Sequence, residues 1–190
     1  MKNYDVLFIG NYTKDTIISP AGMKHVDGGA VNYAAHAAGR LGLSVAVVTR
    51  LAKEDDRVVE RLVQTGIDCY PTYTAQSMLM TLEYPTSDPD IRMPSVTATA
   101  GSITAGEVET LNAKAAVIGS SLRGEVGLDV IEKLKEKNML VAAASLSGYL
   151  GAAVTSLKME KLEPFNCSMD EESPRFGANR PSQSTKEYKQ

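Results

Sequence analysis

The chain carries four short runs of consecutive apolar residues, separated by longer segments in which polar residues are frequent. Continuous apolar character without alternation is typical of a strand buried on both faces, as in a parallel sheet. We therefore expect buried strands over residues 5–10, 44–49, 115–119 and 139–143.

Segments with helical character lie between these runs. Residues 30–41 are rich in small side chains and stop at Gly42, whereas residues 55–65 and 128–137 carry apolar side chains at helical spacing. In the latter two segments, the side chains expected to face the core are Val58, Val59, Leu62, Val63, Leu128, Ile131 and Leu134. Strands that alternate with helices predict a layered α/β fold with right-handed crossovers.

The stretch between residues 73 and 100 breaks this alternation. Residues 74–84 and 96–100 have strand character, and turn-forming residues are concentrated between them. We expect a hairpin or a small lid that stands off the main sheet. The segment between the first strand and Gly28 is expected to be a loop, and residues 67–70 a short strand leading outward.

Composition narrows the class of protein without naming one. The 190 residues include 20 basic and 23 acidic side chains, and the formal net charge of −3 implies no general nucleic-acid-binding surface. Two cysteines are too few for a disulfide framework or a metal cluster. The sequence shows neither an apolar stretch long enough to span a membrane nor a secretion signal, so we expect a cytoplasmic globular protein.

Three motifs occur in order along the chain. Residues 10–15, Gly-Asn-Tyr-Thr-Lys-Asp, place an acid shortly after the first strand. Residues 28–34, Gly-Gly-Ala-Val-Asn-Tyr-Ala, open the first helix with a double glycine, and residues 41–50 supply a Leu-Gly turn and the second strand. This order resembles the ribokinase-like (PfkB-type) carbohydrate kinases over residues 4–143. The Ser-Asp-Pro-Asp turn before Arg92, with the opening Gly-Asn-Tyr, looks most like the inositol-kinase-like branch.

The resemblance implies a three-layer α/β/α ribokinase-like fold, incomplete in this chain, with a small β lid. It implies ATP- and Mg²⁺-dependent transfer of a phosphoryl group to a hydroxyl of a sugar or a polyol such as inositol, and a homodimer formed through the lid strands. The substrate-binding residues that it implies are Asn11, Asp15, Gly28, Gly29, Asn32 and Arg92. Carboxylate and amide groups can bind hydroxyls, and glycine lets the backbone approach a ligand that a Cβ would keep away.

Each of these positions also has a structural interpretation. Asp15 could cap a turn, and Gly28 with Gly29 could serve only as the turn that opens the helix. Asn32 could be a polar helix residue satisfied within the fold, and Arg92 an ordinary surface charge. The residue types alone do not decide between the two interpretations.

The C-terminal part of the chain departs from the family's pattern. In the resembled family a Gly-Ala-Gly-Asp motif at a helix N-terminus supplies the base and the amides of an anion hole, but this sequence contains no Gly-x-Gly-Asp. Residues 151–165 resemble the family's last helix and the residues after it. We therefore expect a partial domain over residues 1–165, with a junction near residues 144–150, and a disordered tail over residues 166–190.

Without this motif, the chain lacks the catalytic base and the anion hole that phosphoryl transfer to a hydroxyl requires. We therefore expect slow transfer or none, and we assign no catalytic and no metal-binding residue. The alternative interpretation is a non-catalytic module that binds a polyol or forms a dimer.

Overall fold

This computed structural model describes residues 2–88 and 90–145 of the chain. These residues form nine strands and three α-helices. In chain order they are β1 (Asn3–Ile9), β2 (Thr13–Ser19), β3 (Gly22–Gly28), α1 (Ala30–Arg40), β4 (Val45–Ala52), α2 (Arg57–Gln64), β5 (Asp68–Thr74), β6 (Met78–Glu83), β7 (Met93–Ala98), β8 (Asn112–Ser120), α3 (Leu128–Glu136) and β9 (Leu140–Ser145). None of these three helices is both long and apolar enough to cross a bilayer. The C-terminal segments for which we expect a helix and a disordered tail, residues 151–165 and 166–190, lie outside the described residues.

Five parallel strands form the main sheet, in the order β5-β4-β1-β8-β9. The four predicted apolar strands are confirmed as β1, β4, β8 and β9. Helices α1 and α2 cover one face, where Phe8, Val47 and Leu62 are buried together, and α3 covers the other, where Leu7 and Leu134 are buried. The predicted α/β fold is therefore confirmed, with helices on both faces of a parallel sheet.

A second sheet, named the lid sheet below, has the strand order β3-β2-β6-β7. The interpretation of the segment before Gly28 as a loop is wrong, because residues 13–28 form the antiparallel pair β2 and β3 around a turn at residues 20–21. The β-branched Thr and Ile residues of β2 suit a strand in this half-buried position. The strand predicted over residues 67–70 is confirmed as part of β5, but β5 lies at the edge of the main sheet and does not lead outward.

Two side chains expected on buried helix faces are exposed. Val63 is 56% exposed although Val58 and Leu62 in the same helix are buried, because consecutive helix residues are rotated by about 100° and Leu62 already faces the core. Leu128 is 48% exposed because Val130 lies on the buried face of α3 in its place.

Candidate functional site

The candidate site lies at the carboxyl ends of β1 and β8, which are neighbours in the main sheet. Gly10 follows β1, and a Cβ at this position would lie 2.4 Å from the carbonyl oxygen of Gly119 in β8. A Cβ on Gly119 would lie 3.0 Å from the Cβ of Ala30, the first residue of α1. These two glycines therefore allow the strand ends and the start of α1 to approach closely, at the edge where the chain leaves β1 for the lid sheet.

The double glycine that opens α1 packs against the chain between Asn11 and Asp15. A Cβ on Gly28 would lie 2.1 Å from Asp15 Oδ2 and 2.3 Å from Thr13 Oγ1. Gly29 has a φ of 95°, which L side chains rarely adopt, and its Cβ would lie 2.8 Å from the Asn11 carbonyl oxygen. Gly28 thus leaves the space that the Asp15 and Thr13 side chains occupy, and Gly29 provides the turn from β3 into α1.

Several buried polar atoms in this region have no hydrogen-bond partner among the described residues. They are Asn11 Oδ1, Thr13 Oγ1, Asp15 Oδ1, Asn32 Oδ1 and Ser121 Oγ. A buried polar atom left unpaired costs on the order of 1–3 kcal/mol, and most such atoms in native proteins are satisfied. Asn11, Asp15 and Asn32 are predicted site residues, whereas Thr13 and Ser121 are not, and all five carry such an atom.

Asp15 is the ionisable side chain of this group, and it is 9% exposed. Burial raises the pKa of Asp15, and the nearby Thr13 hydroxyl partly opposes this effect. The adjacent cation does not neutralise it: Lys14 lies 2.9 Å from Asp55 Oδ1 and 3.1 Å from Glu54 Oε1. Asp15 therefore presents a carboxylate oxygen that can accept a hydrogen bond from a ligand.

Asn11 is fully buried and is held by groups outside the predicted motifs. Its side-chain Nδ2 donates to the Gly101 carbonyl oxygen at 2.9 Å, and its backbone N–H donates to Glu125 Oε1 at 2.6 Å. This bond uses one hydrogen of Nδ2, and Oδ1, which has no partner among the described residues, can accept a hydrogen bond from a ligand. The orientation of Asn11 thus depends on residues about 90 and 114 positions further along the chain.

Arg92 is the one predicted site residue that the structure does not bring close to the others. It is exposed and lies in the β6–β7 connection, just before β7. Asp15, in contrast, pairs with Met80 in the middle of the lid sheet. A contact between Arg92 and substrate therefore stays a prediction.

Sequence reasoning missed Thr13, Ser121 and Glu125. Thr13 lies inside the first motif, two residues from Asp15, and a strand assignment would have placed both on one face. Ser121 and Glu125 follow β8, and ligands of α/β sheets bind outside the carboxyl ends of the strands. This rule could have indicated Ser121 and Glu125, but only if the adjacency of β8 and β1 had been known.

No family model matches the sequence, and no curated protein does. Solved structures do match. A pyrophosphate-dependent kinase in the ribokinase family, solved as a sulfate complex, has 25% identity and a TM-score of 0.66, over 73% of this chain and 49% of that chain. A pyrophosphate-dependent kinase in the same family, complexed with a pyrophosphate analog and myo-inositol, has 22% identity and a TM-score of 0.66, over 73% of this chain and 48% of that one.

The fold is also shared with a ribokinase from Arabidopsis thaliana, complexed with ribose and ATP. It has 12% identity and a TM-score of 0.55, over 75% of this chain and 53% of that chain. The present chain thus spans about half the length of the solved kinases that it matches.

Proposed function

We propose, for a chain that has the fold of the ribokinase family, that residues 11–32 form the acceptor-binding side of a phosphoryl-transfer site. The proposed ligand is a cyclic polyol or a sugar. The observation that carries this proposal is the group of unpartnered buried atoms on Asn11, Thr13, Asp15 and Asn32. A bound polyol would supply the hydrogen bonds that these atoms lack.

The chemistry of these atoms favours a ligand with several hydroxyl groups. The free atoms of Asn11, Asp15 and Asn32 are oxygens that only accept hydrogen bonds when Asp15 is ionised, whereas the Thr13 hydroxyl can donate or accept. A surface dominated by acceptors needs a ligand rich in O–H donors. Among the structural neighbours, one kinase was solved with myo-inositol and another with ribose, and both compounds meet this requirement.

The phosphoryl donor is a separate matter. The resemblance implies ATP with Mg²⁺, and the structural neighbours include both an ATP complex and pyrophosphate-dependent kinases. The described residues contain no group of three or more His, Cys, Asp or Glu side chains arranged to hold a metal ion, and the sequence contains no Gly-x-Gly-Asp. We derive no step through these groups, and we propose that transfer by this chain is slow or absent.

Calorimetric titration of the full chain with myo-inositol and with ribose tests the binding proposal. We expect Asp15→Ala to weaken polyol binding by roughly 10- to 100-fold, the value of one hydrogen bond to a charged group. Asp90→Ala, at the exposed tip of the lid sheet, is the matched control and should leave the affinity unchanged. Equal affinities for the two variants would rule out the proposed role of Asp15.

A phosphoryl-transfer assay with either ATP or pyrophosphate as donor tests the expected lack of activity. With Mg²⁺ and myo-inositol present, we expect product formation close to the rate without protein. The removal of a general base typically costs 10²–10⁴-fold, and the loss of an anion hole adds to that cost. Turnover at ordinary enzyme rates with either donor would contradict the proposal.

A dimerisation module is the second candidate function, and a row of apolar side chains favours it. Met23, Ile18 and Met93 belong to one cross-strand row of the lid sheet on the face opposite Asp15, with Glu83 between Ile18 and Met93, and they are 65%, 37% and 52% exposed. A second copy of the chain could cover this face. Light scattering of the eluted protein would test it: Met23→Lys should convert a dimer to a monomer, and a monomeric wild type would exclude it.

A further inference from the structure

Glu125 is a buried carboxylate to which the proposed function gives no role. It is 4% exposed, and burial raises its pKa, although three backbone amides oppose this effect. Its Oε1 accepts a hydrogen bond from the Asn11 amide at 2.6 Å. Its Oε2 accepts from the Ser121 amide at 2.7 Å and from the Leu122 amide at 3.1 Å. One side chain therefore joins the turn after β1 to the turn after β8.

A third segment meets the same residue. The backbone oxygen of Glu125 accepts from the Ile103 amide at 2.8 Å, and Ile103 and Val126 form an isolated parallel bridge. Two residues before Ile103, the Gly101 carbonyl accepts from Asn11 Nδ2. The chain that returns from the lid sheet is thus attached to both Asn11 and Glu125, so that three segments distant in sequence are held at one point.

The Ser121 hydroxyl lies next to this junction. Ser121 is 3% exposed and its Oγ has no hydrogen-bond partner among the described residues. The Ser121 amide and the Asn11 amide donate to the two oxygens of the same Glu125 carboxylate, so the backbone of Ser121 lies close to that of Asn11. Gly119, two residues earlier, lies against the first turn of α1, the helix that carries the unpartnered Oδ1 of Asn32.

We propose that Ser121 contacts the polyol through its hydroxyl, and that Glu125 is the positioning residue that holds Ser121 and Asn11 at the spacing the site needs. The ligand in this inference rests on the proposed function. The unpartnered buried atoms of Asn11, Asp15 and Asn32 are acceptor oxygens, and the neighbouring Thr13 adds a hydroxyl that can donate. Ser121 adds a second such hydroxyl, from the turn after β8, whereas Thr13 and Asp15 belong to the lid sheet.

Two neighbouring serines provide a matched test of the Ser121 contact. Ser120 is 6% exposed, is the last residue of β8, and shares a strand face with Ala116, which is buried on the α3 side of the sheet. In calorimetric titrations with myo-inositol, we expect Ser121→Ala to weaken binding roughly threefold to tenfold, the value of one neutral hydrogen bond. Ser120→Ala should bind as the wild type does. An unchanged affinity of Ser121→Ala overturns the contact.

The positioning role is tested by comparing Glu125, which is buried, with Glu107, which is half-buried. Glu107 accepts hydrogen bonds from Arg50, Thr72 and Thr104, outside the candidate site. Both Glu125→Gln and Glu107→Gln should lower the midpoint of thermal unfolding, because each replaces an acceptor by a donor. Only Glu125→Gln should also weaken myo-inositol binding, by roughly tenfold. If the two variants bind equally well, Glu125 is merely structural and the inference is wrong.

A readout without ligand separates this inference from the proposed function. In hydrogen-exchange NMR, Glu125→Gln should lose protection at the amides of Asn11, Ser121 and Leu122, whereas Glu107→Gln should retain it. Unchanged protection at these three amides overturns the positioning role, whatever the chain binds. If the amides respond but the wild type binds neither myo-inositol nor ribose, the proposed function fails and the Ser121 contact fails with it, while Glu125 is confirmed as the clamp between the turns. Should Glu125→Gln fail to fold, Ser121→Ala alone decides the contact.

Discussion

Asp15 and Asp27 lie in neighbouring strands of the lid sheet, but on opposite faces. Asp15 in β2 pairs with Val26 in β3, whereas Asp27 pairs with Lys14, and adjacent strand residues point to opposite sides. Asp27 accepts hydrogen bonds from Tyr12 at 2.7 Å, from both guanidinium nitrogens of Arg57 at 2.6 and 2.8 Å, and from Arg61 at 2.8 Å. Asp15 Oδ1 has no such partner among the described residues.

The two carboxyl groups titrate in opposite directions as a result. Hydrogen bonds hold the pKa of Asp27 well below its usual range, above all those from Arg57 and also those from Tyr12 and Arg61. Burial raises the pKa of Asp15. The difference shows which charge stabilises the fold. The protein itself satisfies the Asp27 carboxylate, whereas burial of the Asp15 carboxylate is unfavourable, and hydrogen bonds from a ligand would offset this free energy.

The size of a cavity does not identify the site in this molecule. A cleft of about 640 Å³ lies beside the satisfied aspartate, and Lys14, Asp27 and Arg57 are among the residues that line it. Each of these three charges already has a protein partner. The small group of unpartnered atoms around Asp15 is therefore the better indication of a ligand, although it is less conspicuous than the cleft.

Matched Asp-to-Asn variants are the sharpest way to break this comparison. Asp27→Asn should lower the free energy of unfolding by about 1–3 kcal/mol, because it leaves two arginines without their carboxylate. Asp15→Asn should leave that free energy unchanged or raise it, because it removes an unpaired buried charge, while it weakens polyol binding about tenfold or more. Urea denaturation and calorimetry measure the two effects. Equal losses of stability in both variants would contradict the contrast between the two faces.

Gly28 tests whether the space around Asp15 matters for binding. In Gly28→Ala the new Cβ would lie 2.1 Å from Asp15 Oδ2, so the carboxylate must move, and we expect polyol affinity to fall roughly tenfold. Gly106→Ala is the control, because its Cβ would meet nothing closer than 4.0 Å. The idea fails if both alanine variants bind myo-inositol as the wild type does.

Acid titration distinguishes the two aspartates by sign. The pKa of Asp27 is lowered on folding, so its stabilisation is present above the unfolded pKa of about 3.9 and is lost as the pH falls. The pKa of Asp15 is raised, so its cost is relieved as the pH falls. Between pH 7 and pH 3 the melting temperature of Asp27→Asn should therefore fall less steeply than that of the wild type, and that of Asp15→Asn more steeply. The same slope in all three proteins would refute both assignments.

The parts of the fold that could be predicted are those that local sequence determines. The strands of the main sheet are recognisable because burial on both faces requires unbroken apolar runs. The hairpin of β2 and β3 lacks such a run: its Lys14, Asp15, His25 and Asp27 mask the strand pattern, because each face of the lid sheet is polar in places. A strand with two partly polar faces gives little hydrophobic signal.

The same distinction applies to the candidate site. Asn11, Asp15 and Asn32 belong to local motifs, so the sequence could offer them as candidates, although it left their role open. Glu125 accepts from the Asn11 amide across 114 positions and from the Ser121 amide, and only the adjacency of β1 and β8 brings these three residues together. No local pattern encodes that adjacency.

The smallest expected effect concerns how the two arginines share Asp27. Arg57 bonds both carboxylate oxygens, and Arg61 bonds one of them, from side chains that are 56% and 46% exposed. Because exposed ion pairs contribute little and bidentate pairs contribute more, Arg61→Ala should cost about 0.3 kcal/mol of unfolding free energy and Arg57→Ala about 1 kcal/mol. Neither should alter polyol affinity, since both lie on the face away from Asp15. A double-mutant cycle with Asp27→Asn measures each coupling, and a larger coupling for Arg61 than for Arg57 would show that Asp27 is held by α2 in a different way from the one described.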